Sequence, residues 1–320
     1  MSINHEKHPA YCPICDAKLV ASGNPYDVNQ LFALWEPIKF RKETIEEHKK
    51  QSEYTEQYQC PECKLTVFLP QIIGTSNFYL DLLKHESNYY YSTDKWDFNE
   101  ALKDVKIGDS LVEIGCGPGN FLEKVKPFVF EAFGIEYNER ALKIARDKGL
   151  NVIAVNDKDF KKKKGSFDLA YSFHVLEHVQ SPIVFLQEMF AWVKPGGKIG
   201  ISVPNMDGPV KYINPCVSNM PPHHATRWRY ETFEALADRF GFHIERVAYE
   251  PLAVSNHYYY SHYGVNHWFP NNNLFNRTLR FVTLRVFNVF FRCLSALKLK
   301  TVPRFRGLSI YVLLSKQADK

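Results

Sequence analysis

The stretch Leu111-Val-Glu-Ile-Gly-Cys-Gly-Pro-Gly119 is an apolar run that ends in a carboxylate and breaks into alternating glycines. A short apolar run bounded by turn residues reads as a buried strand. The glycines after it let the backbone turn tightly and bring free N–H groups close to the anionic end of a ligand. Phe121 to Lys126 then reads as the start of a helix. Strand, glycine loop and helix in that order describe a nucleotide-type cofactor site. A dinucleotide fingerprint needs a third glycine three residues after the second. Here Gly115, Gly117 and Gly119 alternate and Asn120 takes that place, so a nicotinamide cofactor is not expected.

Moving outward, Glu131-Ala-Phe-Gly-Ile-Glu136 reads as a second strand whose closing acid lies about 20 residues past the glycines, the offset that suits two ribose hydroxyls. A third strand, Asn151 to Val155, leads to Asn156 and Asp157, within reach of an adenine amino group. A fourth, Ser166 to Ser172, runs into His174-Val-Leu-Glu-His178, and Trp192-Val-Lys-Pro-Gly-Gly197 turns into a fifth, Lys198 to Val203. In order and spacing these stretches resemble the class I S-adenosylmethionine-dependent methyltransferases, over roughly residues 100 to 250 and a last strand near 308 to 316. The resemblance implies an α/β, doubly wound, mostly parallel seven-stranded, Rossmann-like sheet. It implies S-adenosyl-L-methionine as cofactor, with Glu136 on the ribose, Gly115, Cys116 and Gly117 admitting the methionine end and Glu113 orienting its amino group. Tyr137, Asp157 and Phe173 complete the expected pocket.

Cys12-Pro-Ile-Cys15 and Cys60-Pro-Glu-Cys63 are two C-x-x-C hooks, and together they supply the four thiolates of a tetrahedral zinc site. Four sulfurs leave no open coordination position, so the expected role of Zn2+ is structural. His5, His8 and His48 then read as exposed bystanders. These hooks define a zinc ribbon over residues 1–75, followed by an aromatic linker helix over 76–105 and the methyltransferase domain over 106–320. In the linker, Tyr89 to Tyr91 either cover the cofactor or simply pack as core.

The acceptor end is expected in the Pro- and Asn-rich stretch after the fifth strand, because ligands in doubly wound sheets sit beyond the carboxyl ends of the strands. Pro221 and Pro222 stiffen the chain ahead of His223 and His224, which read as a general base or acceptor contact, or else as a helix cap. His174, at the end of the fourth strand, is a third catalytic candidate, whereas His178 reads as structural. The loop is similar to those of glycan and sugar methyltransferases, and the zinc module to deoxysugar C-methyltransferases. Because those enzymes continue into another domain, the expectation here is O-methylation of a glycan, sugar or related small molecule.

The formal net charge of +5 is unevenly spread. Residues 271–320 hold ten Lys or Arg and one acid, which leaves −4 for residues 1–270. An acidic body disfavours nucleic acid as partner, although a zinc ribbon leaves an RNA methyltransferase as an alternative, alongside a non-catalytic binding protein on this fold. The polar first ten residues and the lack of an apolar run of ~18 residues predict a cytoplasmic chain. Inside an insertion at about 255–305, residues 273–297 form an arginine-studded helix. On a helical wheel Phe275, Leu279, Val282, Val286, Val289, Phe290 and Cys293 make its core face, while Phe281, Leu284, Phe287 and Phe291 lie on the arginine side. Such a helix suits an anionic membrane surface or lipid-linked acceptor, a homodimer interface, or burial against the zinc module.

Overall fold

A computed structural model of the chain describes residues 10–36, 38–90, 93–155, 157 and 160–316, without the side chains of 85–90 and 161. His5, His8, Asn156 and the ring positions Tyr89 to Tyr91 lie outside what is described. The amino-terminal part contains β1 (Val20–Ala21), β2 (Tyr26–Asp27), α1 (Val28–Ala33), α2 (Lys42–Gln51), β3 (Tyr54–Gln59) and β4 (Thr66–Leu69). Asp27 starts α1 with a reciprocal capping box to Gln30. Two helices, α3 (Ser76–Tyr90) and α4 (Trp96–Leu102), lead into the second part.

That part alternates strand and helix: β5 (Ser110–Ile114), α5 (Asn120–Val125), β6 (Glu131–Glu136), α6 (Glu139–Asp147), β7 (Asn151–Ala154), β8 (Phe167–Phe173), α7 (Pro182–Trp192) and β9 (Val193–Pro204). Next come β10 (Thr226–Arg227), α8 (Tyr230–Phe240), β11 (Phe242–Ala253), α9 (Val265–Trp268), α10 (Leu274–Ala296) and β12 (Thr301–Lys316). The large sheet runs β11-β12-β9-β8-β5-β6-β7. The pairs β9-β8, β8-β5, β5-β6 and β6-β7 are parallel, and only β12 is antiparallel to its neighbours. The expected mostly parallel, seven-stranded Rossmann-like sheet is present. Strands β5 and β8 are nearly continuous apolar runs because helices cover both their faces.

The two parts interlock. The second sheet, β1-β3-β4-β10, takes its last strand from residues 226–227, with Thr226 opposite Val67 and Arg227 opposite Thr66. Cys12, Ile14, Cys60 and Leu65 share one core with Trp228, Phe233 and Leu236. His48 is not a surface bystander: it is fully buried, its Nδ1 lies 2.6 Å from the Thr44 carbonyl oxygen, and its Nε2 accepts from the Thr75 amide at 3.3 Å. A small module needs every apolar contact, and this ring packs edge-on against Phe32 and Phe78.

The helix α10 lies the other way round from its helical wheel. Phe287, Phe291 and Leu294 pack against Leu252, Tyr260, Val302 and Phe305. Phe275, Val286 and Val289, on the expected core face, are 72%, 59% and 61% exposed. Both faces are apolar, so the partners offered by β11 and β12 decided which one is covered.

Candidate active site

The loop after β5 is built around glycine. Gly115 has φ +77°, and a Cβ there would come within 2.4 Å of Val175. Any other residue would be strained and would push the β8 end away from the loop. Its amide and that of Cys116 both donate to the Ile135 carbonyl, at 2.8 and 3.2 Å. Cys116 is buried, with its sulfur against Gly134, where a Cβ would meet Sγ at 2.5 Å and Leu122 Cδ1 at 2.7 Å. A Cβ on Gly117 would meet nothing within 4 Å, so the loop is open on that side.

Two carboxylates flank the opening. Glu136, at the end of β6, accepts from the amides of Gly117 (2.8 Å), Tyr137 (2.7 Å) and Asn138 (2.7 Å). Glu113, at the end of β5, is 2% exposed and its Oε2 has no hydrogen-bond partner among the described residues. Burial pushes its pKa well above the ordinary carboxylate value, with Glu136 and Asp97 adding to the rise. A buried, orphaned carboxyl beside an open glycine loop fits a ligand that brings a cation. The side chain of Tyr137 is exposed, at the rim.

Two expected pocket residues also have structural partners. Asp157 accepts from the Phe160 amide at 3.0 Å, so it starts a short 3-10 turn. Phe173 is core: its ring lies 5.0 Å from Phe98 and 4.8 Å from Phe121. An aromatic at a strand end can face either the ligand or the layer beneath, and the facing aromatics of α4 and α5 hold it in the layer beneath.

The end of β8 carries a network the sequence showed only in part. His174 sits at φ +55°, a conformation unusual for a side chain larger than glycine. Its Nε2 lies 3.1 Å from Asp97 Oδ2 and its Nδ1 3.3 Å from Glu177 Oε1. Burial works against a charged ring, but these carboxylates outweigh it and push the pKa up to about 9. His174 is therefore held as an imidazolium. Asp97, 2% exposed on α4, escaped sequence reasoning because no motif links a helix acid to a histidine 77 residues later.

His223 and His224 do lie beside this network, both 5% exposed. Burial drives the pKa of His223 down to about 3 and that of His224 well below the usual histidine value, and neighbouring imidazoles add to both shifts. His178, expected to be structural, is the hub: its ring lies 4.8 Å from that of His223 and 4.6 Å from that of His224. Elsewhere the four cysteines converge, with Cys12 and Cys63 sulfurs 3.5 Å apart and Cys15 and Cys60 sulfurs 3.3 Å apart. All four lie within 4.8 Å of one another, a spacing that could hold a metal ion.

Residues 84–247 match a family model described as a methyltransferase domain, slightly more than half of the chain. The chain belongs to the methyltransferase-domain family. Among curated relatives, an uncharacterised protein of Methanocaldococcus jannaschii (MJ1123) is 33% identical over 129 residues, 37% of this chain and 60% of that protein. A probable S-adenosylmethionine-dependent methyltransferase of Mycolicibacterium smegmatis is 22% identical over 162 residues, 50% of this chain and 62% of its own length. A ubiquinone biosynthesis O-methyltransferase of Thiobacillus denitrificans is 30% identical over 105 residues, 31% and 45% of the two chains. The matches thus span between 45 and 62% of these relatives.

Proposed function

We propose that this protein is an S-adenosylmethionine-dependent methyltransferase acting on a hydroxyl of a glycan, sugar or related small molecule. The observation that carries the cofactor reading is the open glycine loop with one buried, unsatisfied carboxyl and one strand-end carboxylate on either side. In this reading Glu136 would hold the ribose, and Gly115 and Gly117 would admit the methionine end whose ammonium answers Glu113. When bound, the cofactor supplies an electrophilic methyl group on a sulfonium. Cys116 keeps the loop close to β6, and Tyr137 rims the pocket. Asp157 and Phe173 take supporting places.

The acceptor reading rests on a cleft of about 780 Å3 between the amino-terminal module and the loop after β9. Gln30, Gln57, Asn214 and Asn219 line it together with Arg227 and Arg229. Side-chain amides donate and accept at once, which suits hydroxylated ligands. Asn219 Oδ1 lies 2.8 Å from Nδ1 of His224, so the cleft borders the histidine cluster. In this reading neither His223 nor His224 is the base: both are buried and burial lowers their basicity, while His174 has both ring nitrogens engaged. Alignment of the acceptor, worth about 7 to 11 kcal/mol at best, carries the reaction instead.

Zn2+ at Cys12, Cys15, Cys60 and Cys63 holds the ribbon against α8, where the Thr232 hydroxyl donates to the Cys63 carbonyl. The exposed face of α10, with Arg277, Arg285 and Arg292 and no acid in the helix, meets an anionic membrane that presents a lipid-linked acceptor. Among the described residues no helix is long and apolar enough to cross a membrane.

Incubating the full chain with methyl-labelled cofactor and separate glycan, lipid-linked and RNA fractions tests the reading. Label in the glycan or lipid-linked fraction supports it; label confined to RNA, or none at all, refutes it. Vesicle binding tests the helix separately, with anionic but not neutral vesicles expected to retain the protein and an R277E/R285E variant expected to be released.

A further inference from the structure

Three histidine side chains gather next to His174, and two of them approach the buried carboxylate of Glu177. One ring nitrogen from each of His178, His223 and His224 lies within 4.8 Å of those of the other two. Their Nδ1 atoms face oxygen acceptors: His178 with the His223 carbonyl (2.5 Å), His223 with the Ser218 carbonyl (2.7 Å) and His224 with the Asn219 side-chain oxygen (2.8 Å). A carbonyl cannot donate, so each contact requires the proton on Nδ1. In a neutral ring of His178 or His224 the lone pair then lies on Nε2, the nitrogen that faces Glu177. A second hydrogen bond from the ring N–H to an oxygen is also what fixes the tautomer of metal-bound histidines.

Glu177 is the independent sign. It is 1% exposed, and neither of its oxygens accepts a hydrogen bond of good geometry among the described residues. The Nε2 atoms of His178 and His224 stand 3.8 and 3.9 Å from its Oε1, too far for hydrogen bonds and carrying no proton to give. His174 stands between two buried carboxylates, Asp97 at 3.1 Å and Glu177 at 3.3 Å, so one ring is shared by two acids. Two buried carboxylates that share one imidazole are costly to bury unless a further cation joins them.

We propose that His178, His223 and His224, with Glu177, form a second metal site for a divalent first-row transition ion. Three imidazoles and a carboxylate suit zinc or its borderline neighbours rather than calcium or magnesium, which prefer oxygen. The ligands come from the turn after β8 and from the loop after β9. Those two stretches are also joined by the Ala225 and Thr226 amides, which donate to the Glu177 carbonyl at 2.8 and 3.1 Å. The ion fastens the acceptor-side loop to the end of the catalytic strand.

Cobalt substitution reads the two sites separately in the full-length protein, because thiolate ligands give intense charge-transfer bands and imidazole and carboxylate ligands give only weak ligand-field bands. The expected result is two metal equivalents per folded chain, one with the thiolate signature and one without it. The double variant H178Q/H224Q should lose the second equivalent and keep the thiolate bands, which also reports that its amino-terminal module has folded. If that variant fails to fold, the wild-type spectrum and stoichiometry decide. A folded wild-type chain, exposed to excess metal and desalted, that shows no component beyond the thiolate bands overturns the proposal. So does an H178Q/H224Q variant that retains the non-thiolate component.

Discussion

Replacing Glu136 by alanine is the sharpest probe of the cofactor cradle. The carboxylate already accepts three amide hydrogen bonds, from Gly117, Tyr137 and Asn138. An ionised carboxylate has about four acceptor positions, so roughly one remains for a ribose hydroxyl. One hydrogen bond to a charged group contributes about 1.5 to 3 kcal/mol, which predicts a roughly 10- to 150-fold loss of S-adenosylmethionine affinity in E136A. Two full ribose bonds would predict a larger loss. The same change frees three amides that can turn to water, so a stability loss of about 1 to 2 kcal/mol is expected alongside. Calorimetric titration of cofactor into wild type and E136A, with a thermal melt on each, separates the two effects. A folded E136A that binds the cofactor as tightly as wild type would falsify the assignment of this strand end to the ribose.

Three further outcomes are expected. The Cys60→Ser variant should lose metal from the four-cysteine site and expose residues 1–75 to protease; a folded, protease-resistant chain with that site empty of metal would count against its structural role. Burial raises the Glu113 pKa, so an arriving ammonium should favour its ionised form and binding should release protons; calorimetry in buffers of different ionisation enthalpy reads them, and E113Q should abolish the release while weakening binding. The raised pKa also means Glu113 costs nothing below the ordinary carboxylate range and lowers apo stability as pH climbs through its folded value, so E113Q should flatten that part of the stability profile. Arg246 reaches Asp104 with two hydrogen bonds, at 3.0 and 2.7 Å, and Glu100 at 2.7 Å. R246A takes one partner from each acid, leaving Glu100 with Lys103 and Asp104 with the Tyr311 hydroxyl, and should cost about 1.5 to 3 kcal/mol in urea unfolding, and a change under about 0.5 kcal/mol would show the pairs to be solvent-screened.

The strand, glycine loop and acid of the cofactor half were legible because their signals are local: a buried strand followed by a turn is written into consecutive residues. The histidine network was legible only piecemeal. Asp97, the His174–Glu177 pair and His224 come from three separate segments, and nothing in the spacing within any one segment names the other two. Thr226 and Arg227 likewise look like loop, since a two-residue strand has no period to detect and exists only because the edge of β4 is there to pair with. The orientation of α10 was hidden for a related reason: a helix with apolar residues on both faces carries no internal sign of which side its neighbours will choose.

The contact between Cys116 and Gly134 ties two positions of the chain into a single choice. Their backbones sit so close that sulfur occupies the space a methyl group on residue 134 would need. A lineage could enlarge residue 134 only after residue 116 shrinks and Leu122 gives way. Two sites 18 residues apart in sequence should therefore drift as a pair, and a tolerated change at one should be read only in the company of the other.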